Sequence, residues 1–213
     1  MTLLLLLIWT SPVCWSQDPD RFREEVEQLV QVNDSLWDQN QETIIFTGSS
    51  SIRTWENLQS EFPSYQIINS GFGGSHASDL LFYAAELILR YQPRKVFIYE
   101  GDNDLSEGKR PGKILKHINA ILARIWLNYP GTEVVLISAK PSIVRWNRRR
   151  AFKRLNRRFK RMAKKQPNIG YVDVWTPMLS GKKLKKDLFI EDGLHMNQKG
   201  YELWKQAIDP YVK

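Results

Sequence analysis

The apolar positions of this chain follow two periods that take turns along its length. Between Pro19 and Val32, Phe22, Val26, Leu29 and Val30 recur at helical spacing with acidic residues toward the start, which predicts an amphipathic helix covering a sheet from outside. Thr43–Gly48 (TIIFTG) is an unbroken β-branched run ending in glycine, the pattern of a strand buried on both faces. The alternation repeats as a short strand over Tyr65–Ile68, a helix over Ser78–Tyr91 and a buried strand over Lys95–Tyr99. A helix over Pro111–Asn128, with proline in its first turn, and a strand over Glu133–Ser138 come next. Pro141 and Ser142 interrupt the pattern, a polar run from about Asn147 leads into a helix reaching Lys165, and Gly170–Val174 is a further strand.

Strands separated by helices require crossover connections, so the predicted class is α/β, with a mainly parallel sheet and helices on both faces. In such sheets ligands sit beyond the carboxyl ends of the strands, where the strand order reverses. The loops that follow the strands are therefore the places to look for chemistry.

Composition narrows this picture. With 213 residues, 42% of them hydrophobic, one domain spanning residues 18–213 is expected. Eight Trp, eight Tyr and nine Phe argue for a packed globule, and a mean hydropathy of -0.43 excludes a polytopic membrane protein. Residues 1–17 carry no charged side chain and include the apolar run Leu3–Trp9, with Ser16 as a small residue at a cleavage position. That run has the length of a signal-peptide core, so residues 1–17 are expected to be a signal peptide and the protein to be exported, periplasmic or secreted. An apolar helix docked on the core is the alternative. Cys14 is the only cysteine, which leaves no intrachain disulfide, and with three scattered histidines no metal site or other cofactor is expected.

Three strand-end loops and one late segment hold unusual residues: Gly48–Arg53 (GSSSIR), Asn69–Ser75 (NSGFGGS), Gly101–Asp104 (GDND) and Asp192–His195 (DGLH). Singly, each has an ordinary explanation as a helix cap, a glycine turn or an Asx loop. Together, in this order, they resemble the four blocks of the SGNH (GDSL-like) hydrolase superfamily, from about Thr43 to the C-terminus. The resemblance implies a three-layer α/β/α sandwich with a flavodoxin-like sheet. It also implies a serine esterase in which Ser50 is the nucleophile and Asp192 and His195 complete the triad. The oxyanion hole would be formed by Ser50, Gly74 and Asn103. Ser49 stands where the family usually has aspartate, and three adjacent serines leave the nucleophile ambiguous on spacing alone; the alignment favours Ser50.

The chemistry fits that set. A serine hydroxyl needs a base to take its proton, His195 can be that base if a carboxylate holds its other nitrogen, and Asp192, three residues earlier, can reach it round a turn. Of the other histidines, His76 lies near the site without a carboxylate at the spacing of the family pair, and His117 falls inside a helix.

The charge of +8 has one source. Residues 145–165 contain 12 Lys or Arg and no acid, leaving 19 basic residues against 23 acidic ones elsewhere. Phe152, Leu155, Phe159 and Met162 put an apolar stripe on this helix, and its other face is a cationic surface. That face either meets anionic lipid, polysaccharide or nucleic acid, or is solvated with no partner. A non-catalytic binding protein on a hydrolase-like scaffold is therefore the second expectation. Under the first, the partner is a small-molecule, sugar or lipid ester, with no specific nucleic acid. Phe72 and Trp146 are aromatic residues near the site, with packing the simpler role for each.

Overall fold

The computed structural model describes residues 18–213; the expected signal segment, residues 1–17, lies outside them. Five parallel strands, β1 (Thr43–Gly48), β2 (Gln66–Gly71), β3 (Lys95–Tyr99), β4 (Glu133–Ile137) and β5 (Ile169–Val172), form one sheet in the order β2-β1-β3-β4-β5. The order reverses beside β1, which pairs with β2 through Thr43–Gln66 and with β3 through Ile44–Lys95. The loops after β1 and β3 therefore open side by side at the switch point where such sheets bind ligands.

Side chains alternate across each strand, so the sheet carries two cores. Ile45, Ile68, Val96, Ile98, Val134 and Leu136 face one layer of helices. This layer contains α1 (Arg23–Leu36), α4 (Ala77–Phe82), α5 (Ala84–Leu87), α7 (Pro111–Asn128) and α8 (Arg149–Lys165). Ile44, Phe46, Phe97, Tyr99, Val135 and Ile137 face the other layer, built from α2 (Ser50–Arg53), α3 (Leu58–Glu61) and α9 (Gln198–Val212). The short helix α6 (Asp102–Ser106) follows β3. The result is the three-layer α/β/α sandwich expected. A two-stranded antiparallel hairpin, β6 (Leu179–Ser180) and β7 (Lys183–Leu184), projects after β5. Among the described residues no helix is long and apolar enough to cross a membrane.

Two elements differ from the sequence pattern. The helix expected over Ser78–Tyr91 is broken into α4, α5 and a 3-10 turn at Leu89–Tyr91. The first break falls at Tyr83, whose hydroxyl donates to the Pro19 carbonyl at 3.0 Å and whose ring meets Phe72 edge-on. These are tertiary contacts that local periodicity does not encode. Beyond Val174, where the alternation predicts nothing further, α9 closes the second layer. It buries Trp204, Ile208 and Val212 at four-residue spacing and is capped by Asn197, whose side chain accepts from the Gly200 amide.

Gly48 shows why the segment Gly48–Arg53 begins with glycine. Its φ is +123°, and an added Cβ would lie 2.0 Å from the Tyr99 carbonyl oxygen, which accepts from the Ser49 amide at 3.1 Å. Gly48→Ala is expected to destabilise the fold by about 3 kcal/mol or more, read as a lowered urea midpoint. An unchanged midpoint would show that the β1–β3 junction can relax.

Candidate active site

Ser49 takes an extended conformation at the end of β1, and Ser50 then opens α2. Thr54 and Tyr201 secure this short helix. The Thr54 hydroxyl is bonded to the Ser50 carbonyl at 2.8 Å and lies 2.7 Å from the Tyr201 hydroxyl, which donates to the Ser51 carbonyl at 3.0 Å. The three serines are thereby sorted. Ser49 and Ser51 are buried, while Ser50 is half-buried with its Oγ 2.9 Å from His195 Nε2.

His195 is held from its other side. Its Nδ1 lies 2.5 Å from Asp192 Oδ2, and Asp192 Oδ1 accepts from the Leu194 and His195 amides at 2.8 and 2.9 Å. Burial alone would raise the Asp192 carboxyl, but the bonds from the His195 ring and from the two amides outweigh it and hold the group at about 2. Asp192 thus stays a carboxylate across the neutral range.

The remaining expected residues gather at the same place. Gly74 is exposed, with φ +70° and nothing within 4 Å of where a Cβ would stand, so space opens above its backbone. Asn103 lies in α6 after β3, its amide donating to Ser49 Oγ at 2.6 Å and to the Ser75 carbonyl at 2.9 Å. Ser49 occupies an N-cap position without capping α2 through its side chain; its hydroxyl goes to Asn103 instead.

Sequence reasoning missed the residues that tie these parts together. Arg145 reads as one more cation of the basic run, yet its side chain is only 16% exposed. It donates to Asp102 Oδ1 at 2.5 Å and to Asn103 Oδ1 at 2.9 Å. A guanidinium can only donate, so it fixes which end of the Asn103 amide faces Ser49. Lys140, fully buried after β4, donates to the Leu194 carbonyl at 2.6 Å, and its Nζ lies 3.8 Å from Asp102 Oδ2. Burial lowers the Lys140 ammonium, against the raising effect of Asp102. The only signal in the sequence is a lysine three residues beyond a buried strand.

His76 requires a correction. It has a carboxylate three residues away after all, in the reverse order: its Nδ1 is 3.2 Å from Asp79 Oδ2, and its Nε2 is 3.0 Å from Glu107 Oε1. Both ring nitrogens are thus engaged away from Ser50. Phe72 is fully buried against Phe22 and Tyr83, so its role is packing. Trp146 stacks on Trp175 with ring centroids 6.2 Å apart.

Glu100, at the end of β3, accepts from the Ser75 hydroxyl at 2.7 Å. Burial and then the Asp104 charge push its carboxyl well above the usual range, so the folded chain holds this proton more tightly than the unfolded one. Its contribution to stability is full below the ordinary carboxylate value and declines as pH rises toward the folded value. Glu100→Gln removes that dependence. The variant's Tm is expected to gain on wild type as the pH rises from about 5 to about 8; a constant difference would show that Glu100 does not titrate there.

The apolar stripe of the basic helix is buried as expected at Phe152, Leu155 and Phe159. Its cations Arg150, Lys153, Arg154, Arg157 and Lys160 line a groove of about 580 Å³ with Tyr171 and Trp175, and none of the residues at Ser50 or His195 borders it.

Comparison with known families supports an ester hydrolase in general. The family model for the GDSL-like lipase/acylhydrolase family matches residues 34–203, and the chain belongs to that family. Among solved structures, a Streptococcus pneumonia chain described provisionally as a platelet activating factor is 23% identical, with a TM-score of 0.77 over 91% of this chain and 95% of that one. A GDSL-like lipase from Bacteroides thetaiotaomicron is 21% identical, with a TM-score of 0.74 over 92% and 97%. At these identities the likeness establishes the fold. No curated protein sequence matches the chain.

Proposed function

We propose that this chain hydrolyses carboxylic esters through an acyl-enzyme on Ser50. The observation that carries the reading is the 2.9 Å contact between Ser50 Oγ and His195 Nε2, with Asp192 on the opposite ring nitrogen. Ser50 Oγ bonds to the ester carbonyl carbon while His195 takes its proton, and the carbonyl oxygen becomes an oxyanion. His195 then gives that proton to the leaving alcohol as the carbon–oxygen bond breaks. Water, activated by the same imidazole, releases the carboxylic acid and restores Ser50.

The backbone N–H groups of Ser50 and Gly74 and the Asn103 amide are the oxyanion donors, each worth about 3–4 kcal/mol in the transition state. Asn103 joins by trading its bond to Ser49 Oγ for the oxyanion. A hydroxyl at position 49 rotates to another partner when that happens, because it can both donate and accept.

The test is turnover of a short-chain nitrophenyl ester by the purified protein, combined with labelling by a fluorophosphonate. One adduct per chain on the peptide containing Ser50 is expected. Absence of turnover would end the ester reading, and an adduct at Ser51 would move the nucleophile.

A further inference from the structure

The mouth of the site carries features that ester cleavage does not use. Among the described residues, three of the exposed large aliphatic residues are tied to one turn: Ile143 is 37% exposed, Val144 56% and Ile190 49%. Gly193 joins them, accepting from the Ile143 and Val144 amides at 2.9 and 3.3 Å and donating to the Ile190 carbonyl at 3.0 Å. Gly193 directly follows Asp192, so this apolar corner is continuous with the turn that holds His195. Exposed apolar side chains are ordinary when scattered; a cluster beside a reactive centre marks a contact surface.

A cavity of about 450 Å³ shares Ile143 with this corner and is otherwise lined by Trp146, Leu184, Lys182, Lys183 and Lys186. Three walls are apolar and three end in ammonium groups. The β6–β7 hairpin presents the lysines: Leu179 pairs with Leu184 and Ser180 with Lys183, and Gly181 turns the tip at φ +59°. Lys185 points elsewhere, donating to the Pro177 carbonyl at 3.0 Å. Lys182, Lys183 and Lys186 are exposed, no acid lines the cavity, and none of the three has an ion pair among the described residues. Asp187, the nearest acid in sequence, is outside the lining.

We infer that this cavity selects the substrate, and that the substrate is an ester of an anionic amphiphile bound as a single molecule. Its apolar stretch lies against Ile143, Trp146 and Leu184, and its phosphate, sulfate or carboxylate meets Lys182, Lys183 and Lys186. The inference rests on the ester-hydrolase reading and adds the charge and polarity of what is cleaved. Three unpaired ammonium groups at the rim of a partly apolar cavity favour a ligand carrying both kinds of group, and the attraction weakens as salt screens it.

The experiment compares a monoacyl glycerophosphate with the monoacylglycerol of the same chain length, both below their aggregation concentrations. Wild type and the Lys182→Ala/Lys183→Ala/Lys186→Ala variant are assayed. The ratio of the anionic to the neutral KM is expected to be below one in wild type and to rise about tenfold in the variant. Added salt should raise the wild-type ratio in the same direction. Equal ratios in the two proteins would overturn the inference, as would a preference seen only above the aggregation concentration, which would mean docking on a lipid surface. Nitrophenyl acetate separates the two claims. Its hydrolysis by wild type without any charge preference sinks only the choice of substrate, while no hydrolysis of any ester sinks the reading beneath it.

Discussion

Ser50→Ala is expected to lower kcat for a nitrophenyl ester by on the order of 10⁶. The size follows from the way the centre is wired. Ser50 Oγ is the one serine hydroxyl on His195 Nε2, so its loss removes the proposed nucleophile while leaving the ring held by Asp192. KM should change little, because Ser50 Oγ acts on the reacting carbon and contributes little to holding the remainder of the ester. Ser51→Ala is the matched comparison: Ser51 is a buried residue of α2, so it should lower stability with kcat within a few-fold of wild type. Steady-state kinetics and thermal unfolding of the two variants make the check. A severe kcat loss in Ser51→Ala with Ser50→Ala still active would reverse the assignment.

Asp192→Asn is expected to cost about 10⁴ in kcat with the fold intact. In wild type the carboxylate accepts on both oxygens, from the His195 ring on Oδ2 and from two backbone amides on Oδ1. An asparagine placed with its oxygen on those amides turns its NH₂ toward His195 Nδ1. That nitrogen must then accept, the ring proton moves to Nε2, and Nε2 can no longer take the Ser50 proton. Because the wild-type carboxyl is held at about 2, it contributes fully to stability above its ordinary value and loses that contribution progressively as pH falls from about 4 through about 2. Protonation of Asp192 therefore plays no part in a fall of activity between pH 7 and about 4. A kcat loss below about tenfold in Asp192→Asn would show that His195 is oriented by something else.

The sequence was most readable where local chemistry and final position agree. Thr43–Gly48 and Lys95–Tyr99 are apolar runs that can only be satisfied in the middle of a sheet, and both strands have the expected bounds. Pro111 starts α7 at the expected residue because a missing N–H costs nothing in a first turn. The four site segments were recognisable because, in their order at strand ends and in a late turn, they resemble the family's four blocks, and Ser50, Asn103 and His195 lie beyond the carboxyl ends of the strands.

What escaped was decided by distant partners. Ser49 is a plausible helix cap by local rules, and only the arrival of α6 gives its hydroxyl to Asn103. Arg145 lies at the head of a run of cations that are mostly solvated. Nothing in its neighbours reveals that the loop after β4 folds back to bring it to Asp102 and Asn103. Position 76 shows the converse: a histidine with a carboxylate at the right separation, engaged in a buried cluster away from Ser50.

The loop after β4 imposes a limit on redesign. Lys140 grips the carbonyl of Leu194 at one end and Arg145 grips Asn103 at the other, so a few residues of chain set the span between the Asp192–His195 turn and Asn103. A single-residue insertion between them would move one side relative to the other by up to about 3 Å, and a misplacement of about 1 Å already costs on the order of 10² in rate. Length is therefore frozen in this loop, whereas the β6–β7 hairpin, which makes no hydrogen bond to Ser50, Asn103, Asp192 or His195, is free to vary. Grafting a new preference onto this scaffold means rebuilding residues 179–186 and leaving 138–145 untouched.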